Sequence, residues 1–174
     1  MDEENLIQAF KNGDMTAIDE IYRAYCVPAL RTAYLITSEQ HTAEDVLQDT
    51  FIQCIKSIQG LKNNAAFKPW FYKILIRNAY KAVNKQKKFV PSDDIYDKAD
   101  TAIYDKYPSE KSEIFALVKQ LKPKLRFVVI LYYYNELNIK EISGIMRCPQ
   151  GTVKSRLNTA KKQLKILMER EKLL

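Results

Sequence analysis

The chain has 174 residues, 47% of them hydrophobic, and a formal net charge of +7. That length and apolar content build one domain or two small ones and exclude wholesale disorder. Three scattered cysteines and a single histidine exclude a zinc or CxxC redox site, and no run approaches the roughly 20 apolar residues that cross a membrane.

With only 4 Gly and 6 Pro, and long stretches free of both, the chain reads as all-α. The positive balance suits a polyanionic partner, nucleic acid or an acidic membrane surface. The odd cysteine count, with no signal peptide in view, places the expectation in a reducing cytoplasm.

In chain order, Asp14 to Thr37 carries apolar residues at helical spacing, with Pro28 expected to kink or interrupt it. Thr42-Ala-Glu-Asp45 reads as a capping box opening a helix that runs to about Ile58 and stops at Gly60. Glu44, Asp45, Gln48 and Asp49 form an acidic patch on it. Chemistry at a helix N-terminus explains Glu44 and part of Asp45. Gln48 and Asp49 lie beyond the first turn and point to a protein partner.

Phe67 to about Lys87 reads as the next helix. Projected at about 100° per residue, Phe67, Phe71, Ile74, Leu75 and Ala82 face a core. Trp70, Lys73, Arg77, Tyr80, Lys81 and Asn84 gather on another side. Rings stack unpaired bases and cations follow phosphates, so this face suits a single strand; for Trp70 alone, half-buried packing is the competing reading. Asn78 falls on the apolar stripe, where its amide must tie a loop or read a base.

From Phe89 to Pro108 the composition changes: Asp93, Asp94, Asp97, Asp100 and Asp105 accompany two prolines, and periodicity fades. This reads as a tethered, mobile linker. Helical patterning resumes over Ser109–Leu121 and Lys124–Glu136. The expected organisation is therefore two small helical modules, 1–88 and 109–174, joined by the linker 89–108. Tyr132, Tyr133 and Tyr134 read as core and rim packing.

Asn138 and Glu141 have the spacing of an N-cap and its N3 partner. Ile139, Ile142, Ile145 and Met146 form one apolar side, and small Ser143 allows a close helix crossing. Arg147-Cys148-Pro149 is a short turn with Pro149 near the start of the next helix. The layout is a helix-turn-helix. On the second helix Val153, Leu157, Ala160, Leu164 and Leu167 form the core stripe. Thr152, Lys154, Ser155, Asn158 and Thr159 are the candidate base readers, while Arg156, Lys161 and Lys162 hold the backbone. Gly151 lets the main chain approach a phosphate. A solvated basic helix closing a bundle is the plainer alternative.

Three segments together carry a resemblance: AEDVLQDTF at 43–51, the Trp70 helix with its Arg77-Asn78 pair, and YYYNELNIKEIS followed by GTVKSRL at 132–157. In this order they resemble bacterial RNA polymerase sigma factors of the extracytoplasmic-function type, over nearly the whole chain except the linker. The resemblance implies that the first module binds the clamp helices of the polymerase largest subunit through Asp45, Gln48 and Phe51, with Asp49 beside them. It implies that Asn64, Phe67, Trp70, Arg77 and Asn78, joined by Lys73, Tyr80 and Lys81, open and hold the −10 element. The second module would read the −35 element and dock on the polymerase flap. The linker would thread near the RNA exit path, and a membrane-bound anti-sigma protein would occlude the two surfaces. No catalytic residue, metal or cofactor is expected.

The chain departs from the family in places. Arg147 stands at the usual turn glycine, Thr159 where arginine is common, Ala82 at the aspartate after the Arg-Asn pair, and Lys85 at a following arginine. Two other functions compete. A stand-alone helix-turn-helix regulator would need a dimerisation element and leave the Trp70 helix unexplained. A helical adaptor meeting acidic proteins or lipid would show no preference for duplex sequence.

Overall fold

Asp2 opens the first helix of the computed structural model, which describes residues 2–89 and 113–171. Its carboxylate accepts the Glu4 amide hydrogen at 2.7 Å, and Glu3 and Glu4 add negative charge at the positive end of the helix dipole. This helix, α1 (Glu3–Lys11), buries Ile7 and Phe10. It is absent from the sequence-based elements above. Asp14 caps the next helix in the same way, and α2 spans Met15–Thr37.

Pro28 does not interrupt α2: the helix is continuous through it, so the expected break does not occur. Proline removes the amide that would bond the Ala24 carbonyl. Ala24 is exposed, so that carbonyl can bond water. Just beyond, Ala29, Ala33 and Leu35 are fully buried, and their packing holds the helix. Thr32 Oγ1 donates to the Pro28 carbonyl at 2.8 Å. Ser38, at φ 59°, closes the helix in the left-handed region.

The third helix, α3 (Gln40–Ser57), starts two residues before the predicted capping box. Glu39 is the cap. Its carboxylate accepts the amide hydrogens of Thr42 at 2.6 Å and His41 at 2.9 Å, satisfying two donors at once where a Thr42 hydroxyl would reach one. Burial alone would raise the Glu39 pKa, but the hydrogen bonds from Thr42 and His41 outweigh it and hold the carboxyl below its ordinary value. A 3-10 turn at Ile58–Gly60 ends α3. A second, Asn64–Ala66, leads directly into α4 (Phe67–Phe89). Helices α2, α3 and α4 pack on one another, and α1 lies against α2 and both turns.

The chain divides into two units, Met1–Ala99 and Asp100–Leu174. The predicted linker 89–108 lies outside the described residues except for Phe89, as do the first residues of the predicted helix from Ser109. The second unit contains α5 (Glu113–Gln120), α6 (Pro123–Val129), α7 (Ile139–Met146) and α8 (Gln150–Glu171). No strand occurs among the described residues.

Pro123 sits in the first turn of α6, where its missing amide is not needed. Arg126 is buried and its Nη2 donates to the carbonyls of Lys119 and Leu121, fastening the end of α5 to α6. A π turn over Ile130–Tyr134 extends α6 and inserts an extra residue in the turn. Leu131 and Asn135 stay buried while Tyr132, Tyr133 and Tyr134 are all exposed. They are therefore rim and surface residues, so of the expected core and rim packing the core part is not met.

Asn138 and Glu141 form the predicted capping box, each side chain bonded to the other's amide at 3.0 and 2.8 Å. Arg147 ends α7 at φ 49°, and its amide donates to the Ser143 carbonyl, which also receives the Cys148 amide at 3.1 Å. Pro149 supplies the first carbonyl of α8, accepting from Thr152 and Val153. Ile142, Val153, Leu157 and Ala160 are buried where α8 packs on α6 and α7.

Two stability predictions arise here. Replacing Arg147 by glycine removes the Cβ penalty of the left-handed turn and should stabilise the second unit by about 1 kcal/mol, read as a higher denaturation midpoint; a lower midpoint would contradict it. Glu39→Ala should destabilise the first unit by about 1 kcal/mol near neutral pH. Because the folded-state pKa is lowered, the cap's contribution exists above the unfolded value and is lost as pH falls through the folded one. The gap between variant and parent should close on acidification.

Candidate nucleic-acid interface

The face of α4 available to a ligand is set by what its other side buries. Phe67, Phe71, Tyr72, Ile74, Leu75, Ile76 and Ala79 are buried, a wider sector than the sequence stripe indicates. The rings interlock: Phe71 lies 5.0 Å from Tyr25 and 5.3 Å from Phe51, and Tyr25 meets Phe67 edge-on at 5.3 Å. With that side committed, Lys73, Arg77, Tyr80 and Lys81 are exposed together and Trp70 is half-buried at their edge. Trp70 stands 5.8 Å from Phe67, so its inner face rests on the core while the rest meets solvent. An aromatic plate among cations can stack a base and hold its phosphates.

Three predicted members of this face behave differently. Phe67 is 1% exposed and cannot touch a strand; it backs Trp70 instead, because the core stripe passes through it. Asn78 is half-buried. Its Nδ2 donates 3.3 Å to Thr50 Oγ1, and that hydroxyl donates in turn to the Val46 carbonyl at 2.6 Å. The amide ties α4 to α3 and not to a loop. Asn64 is also engaged: Lys11 Nζ donates to its Oδ1 at 2.6 Å, and its Nδ2 donates to the Glu4 carbonyl and Gln8 Oε1, each at 3.2 Å.

On α3, Asp45, Gln48 and Asp49 are exposed along one line of the helix. Ile52 and Ile55 continue it toward the C-terminus at 42% and 49% exposure, an apolar half that the sequence reading did not include. Phe51 is half-buried behind this line, 4.8 Å from Tyr22. The patch thus joins carboxylates to exposed apolar side chains, a combination suited to a protein partner.

In the second unit α8 presents Lys154, Ser155, Asn158, Thr159 and Lys162 as one exposed face opposite Val153, Leu157 and Ala160. Thr159 Oγ1 donates to the Ser155 carbonyl at 3.0 Å. Thr152 is half-buried at the first turn. Two predicted backbone holders flank the face. Arg156 turns toward the preceding turn, its Nη1 3.7 Å from Cys148 Sγ. Lys161 lies 5.7 Å over the Tyr133 ring, and the Tyr133 hydroxyl beside it pushes its pKa up. Gly151 is exposed on the same surface, with open space where a side chain would be.

The chemistry elsewhere is sparse. Cys26, Cys54 and Cys148 are free thiols, and burial pushes Cys54 up to about 12. Among the described residues no cluster of three His, Cys, Asp or Glu side chains could hold a metal, and no helix is long and apolar enough to cross a membrane.

Comparison with known proteins matches both units. The Sigma-70 region 2 family covers residues 21–89 and Sigma-70, region 4 covers 111–164. The ECF RNA polymerase sigma factor SigM of Bacillus subtilis is 35% identical over 160 residues, spanning 88% of this chain and 96% of that protein. The chain belongs to the extracytoplasmic-function sigma factors. The RNA polymerase sigma factor SigV of the same organism is 29% identical over 82% of this chain and 86% of its own. Among solved structures, the sigma factor RpoE of Bartonella quintana, in complex with the anti-sigma factor NepR, superposes with a TM-score of 0.70 at 25% identity, covering 82% of this chain and 91% of that one. CnrH, solved with the cytosolic domain of CnrY, shares the fold at TM-score 0.74 and 15% identity over 97% of each chain.

This sigma factor binds core RNA polymerase and promoter DNA and directs the enzyme to promoters. It is a transcription initiation factor and not an enzyme. Its region 2 match contains α3 and α4, and its region 4 match contains α5 to α7 and most of α8.

The Asn78–Thr50 joint is open to measurement. Asn78→Ala and Thr50→Val should each destabilise the first unit by about 1 kcal/mol. The double variant should fall short of the sum, since both remove one hydrogen bond. Strict additivity in chemical denaturation would mean that the two side chains act separately.

Proposed function

We propose a division of labour between the two faces. Trp70, Lys73, Arg77, Tyr80 and Lys81 hold the unpaired strand of the −10 element, with Asn78 Oδ1 at the edge of the face as an acceptor for a base. Thr152, Lys154, Ser155, Asn158 and Thr159 read the −35 duplex, while Arg156, Lys161 and Lys162 grip its backbone. Asp45, Gln48 and Asp49, with Phe51 behind them, meet the polymerase clamp helices, and the second unit docks on the flap. Residues 1–88 and 109–174 are the working modules and 89–108 the linker between them.

The observation that carries this reading is the sidedness of α4. Its aromatic–cation face is exposed because a wide ring-packed sector is buried opposite. Stacking contributes roughly 1–3 kcal/mol per base, so two or three contacts are of the size needed to trap bases that leave a duplex. The face on α8 has different chemistry, short hydroxyls and an amide among lysines, as major-groove reading requires. An anti-sigma protein, membrane-bound as is usual in the family, is the proposed regulator. The Bartonella RpoE–NepR structure supports a partner of that kind. The proposed location is the cytoplasm, where the polymerase works.

The test is run-off transcription with core enzyme, followed by opening assays on a promoter so mapped. Trp70→Ala combined with Arg77→Ala should lower strand opening by more than tenfold while leaving core affinity within about twofold. Lys161→Ala and Lys162→Ala should instead weaken duplex capture, each lowering the slope of log K against log salt by about 0.9. Normal opening by the α4 variant would end the proposal, as would an unchanged salt slope in the α8 variants.

A further inference from the structure

Lys11, the last residue of α1, is half-buried and points across to the loop between α3 and α4. Its ammonium donates 2.6 Å to the Leu61 carbonyl and 2.6 Å to Asn64 Oδ1. The loop answers at further points. Gln59 Nε2 donates to the Lys11 carbonyl at 2.6 Å, and Asn64 Nδ2 donates back to α1 at Glu4 and Gln8. Within the loop, Asn63 Oδ1 caps the 64–66 turn by accepting from Ala65 at 3.1 Å. The segment 59–66 is thus stitched to α1 at both ends, and Phe67, the first residue of α4, follows it without a break.

The other end of α1 is tied to the same place. Tyr25 Oη donates to Glu3 Oε1 at 2.6 Å, and the Tyr25 ring sits against Phe67 and Phe71. Phe10 meets Phe67 edge-on at 6.3 Å. A short helix with no part in the strand-holding face therefore touches the start of α4 from two directions. Trp70 lies one turn beyond that start.

Lys11 also stands out electrostatically. Its two acceptors are neutral, and no carboxylate among the described residues lies within ion-pair distance. Leaving a partly buried ammonium without such acceptors would be costly, so the two bonds hold it in place. Two acceptors use two of its three N–H donors.

We propose that Lys11 is a positioning residue for promoter opening: by holding Leu61 and Asn64 it fixes the loop that sets the entry of α4, and with it the placement of Trp70. On this view Asn64 acts through the joint and does not read a base, since both Nδ2 hydrogens and its Oδ1 are already engaged. The inference rests on the reading that the α4 face captures the unpaired strand.

The experiment uses the full chain with core polymerase and a promoter mapped for it, with 2-aminopurine in the −10 element to report opening. Lys11→Met, Lys11→Arg and Trp70→Ala are compared with the parent, well below their melting temperatures. Lys11→Met should keep core affinity within about twofold and slow opening by on the order of tenfold, and Lys11→Arg should restore most of the rate. Lys11→Leu, which likewise lacks a donor, replaces Lys11→Met if that variant does not fold, with the same thresholds. Opening at the parental rate overturns the proposal. So does a parallel loss of core affinity and opening, because that describes a general folding defect. If Trp70→Ala opens normally, the strand-capture reading itself fails and the role of Lys11 falls with it. If Trp70→Ala is defective and Lys11→Met is not, only the positioning role is lost.

Discussion

The packing of rings between α2, α3 and α4 governs the first unit. Tyr25, Phe51, Phe67 and Phe71 meet at centroid separations of about 5 to 6 Å, the range in which tilted and edge-on aromatic pairs attract. Because this cluster takes one side of α4, the helix has a defined rotation. A helix free to roll could not hold Trp70 and three cations in one direction. Function on the outer face is thus a consequence of apolar burial on the inner one, and Phe67 belongs to the second although the family pattern groups it with the first.

The second unit reaches a similar end by different means. Its core is aliphatic apart from Phe127, and its precision lies in backbone devices: a capping box at Asn138 and Glu141, a buried arginine over two carbonyls, and a left-handed turn at Arg147. These set the direction in which α8 leaves the turn. The exposed lysines and hydroxyls then share one face because Val153, Leu157 and Ala160 occupy the opposite one. An arginine at the left-handed position is a local strain that the surrounding packing tolerates.

Amide side chains show how a single residue type can take different duties. Asn78 donates across the core to Thr50, Asn64 is the node of a joint with α1, and Asn138 caps a helix. Asn158 lies on the exposed face of α8. The cap at Asn138 is local and legible from its spacing to Glu141, but position within a motif does not reveal the duties of Asn64 and Asn78. Those are set by which hydrogen-bonding groups come within about 3 Å, and for both the groups come from far away in the chain.

Much of this protein was legible in the residues themselves. The helical class, the capping box, the turn at Arg147 and the two candidate faces follow from periodicity, capping chemistry and charge, because those depend on residues within a few positions of each other. The family was legible for the same reason, being carried by short local motifs. The cap of α3 is equally local: Glu39 and not Thr42 supplies it, because its carboxylate reaches two amides within three residues. Two things were decided only by tertiary structure: the helix runs through Pro28 because its buried flanks hold it, and Lys11 finds Asn64 across 53 positions of sequence. Leu6, Ile7 and Phe10 carried a usable signal for α1, but no local pattern could announce its partner. Such contacts depend on how the helices pack, and packing joins residues that the sequence keeps apart.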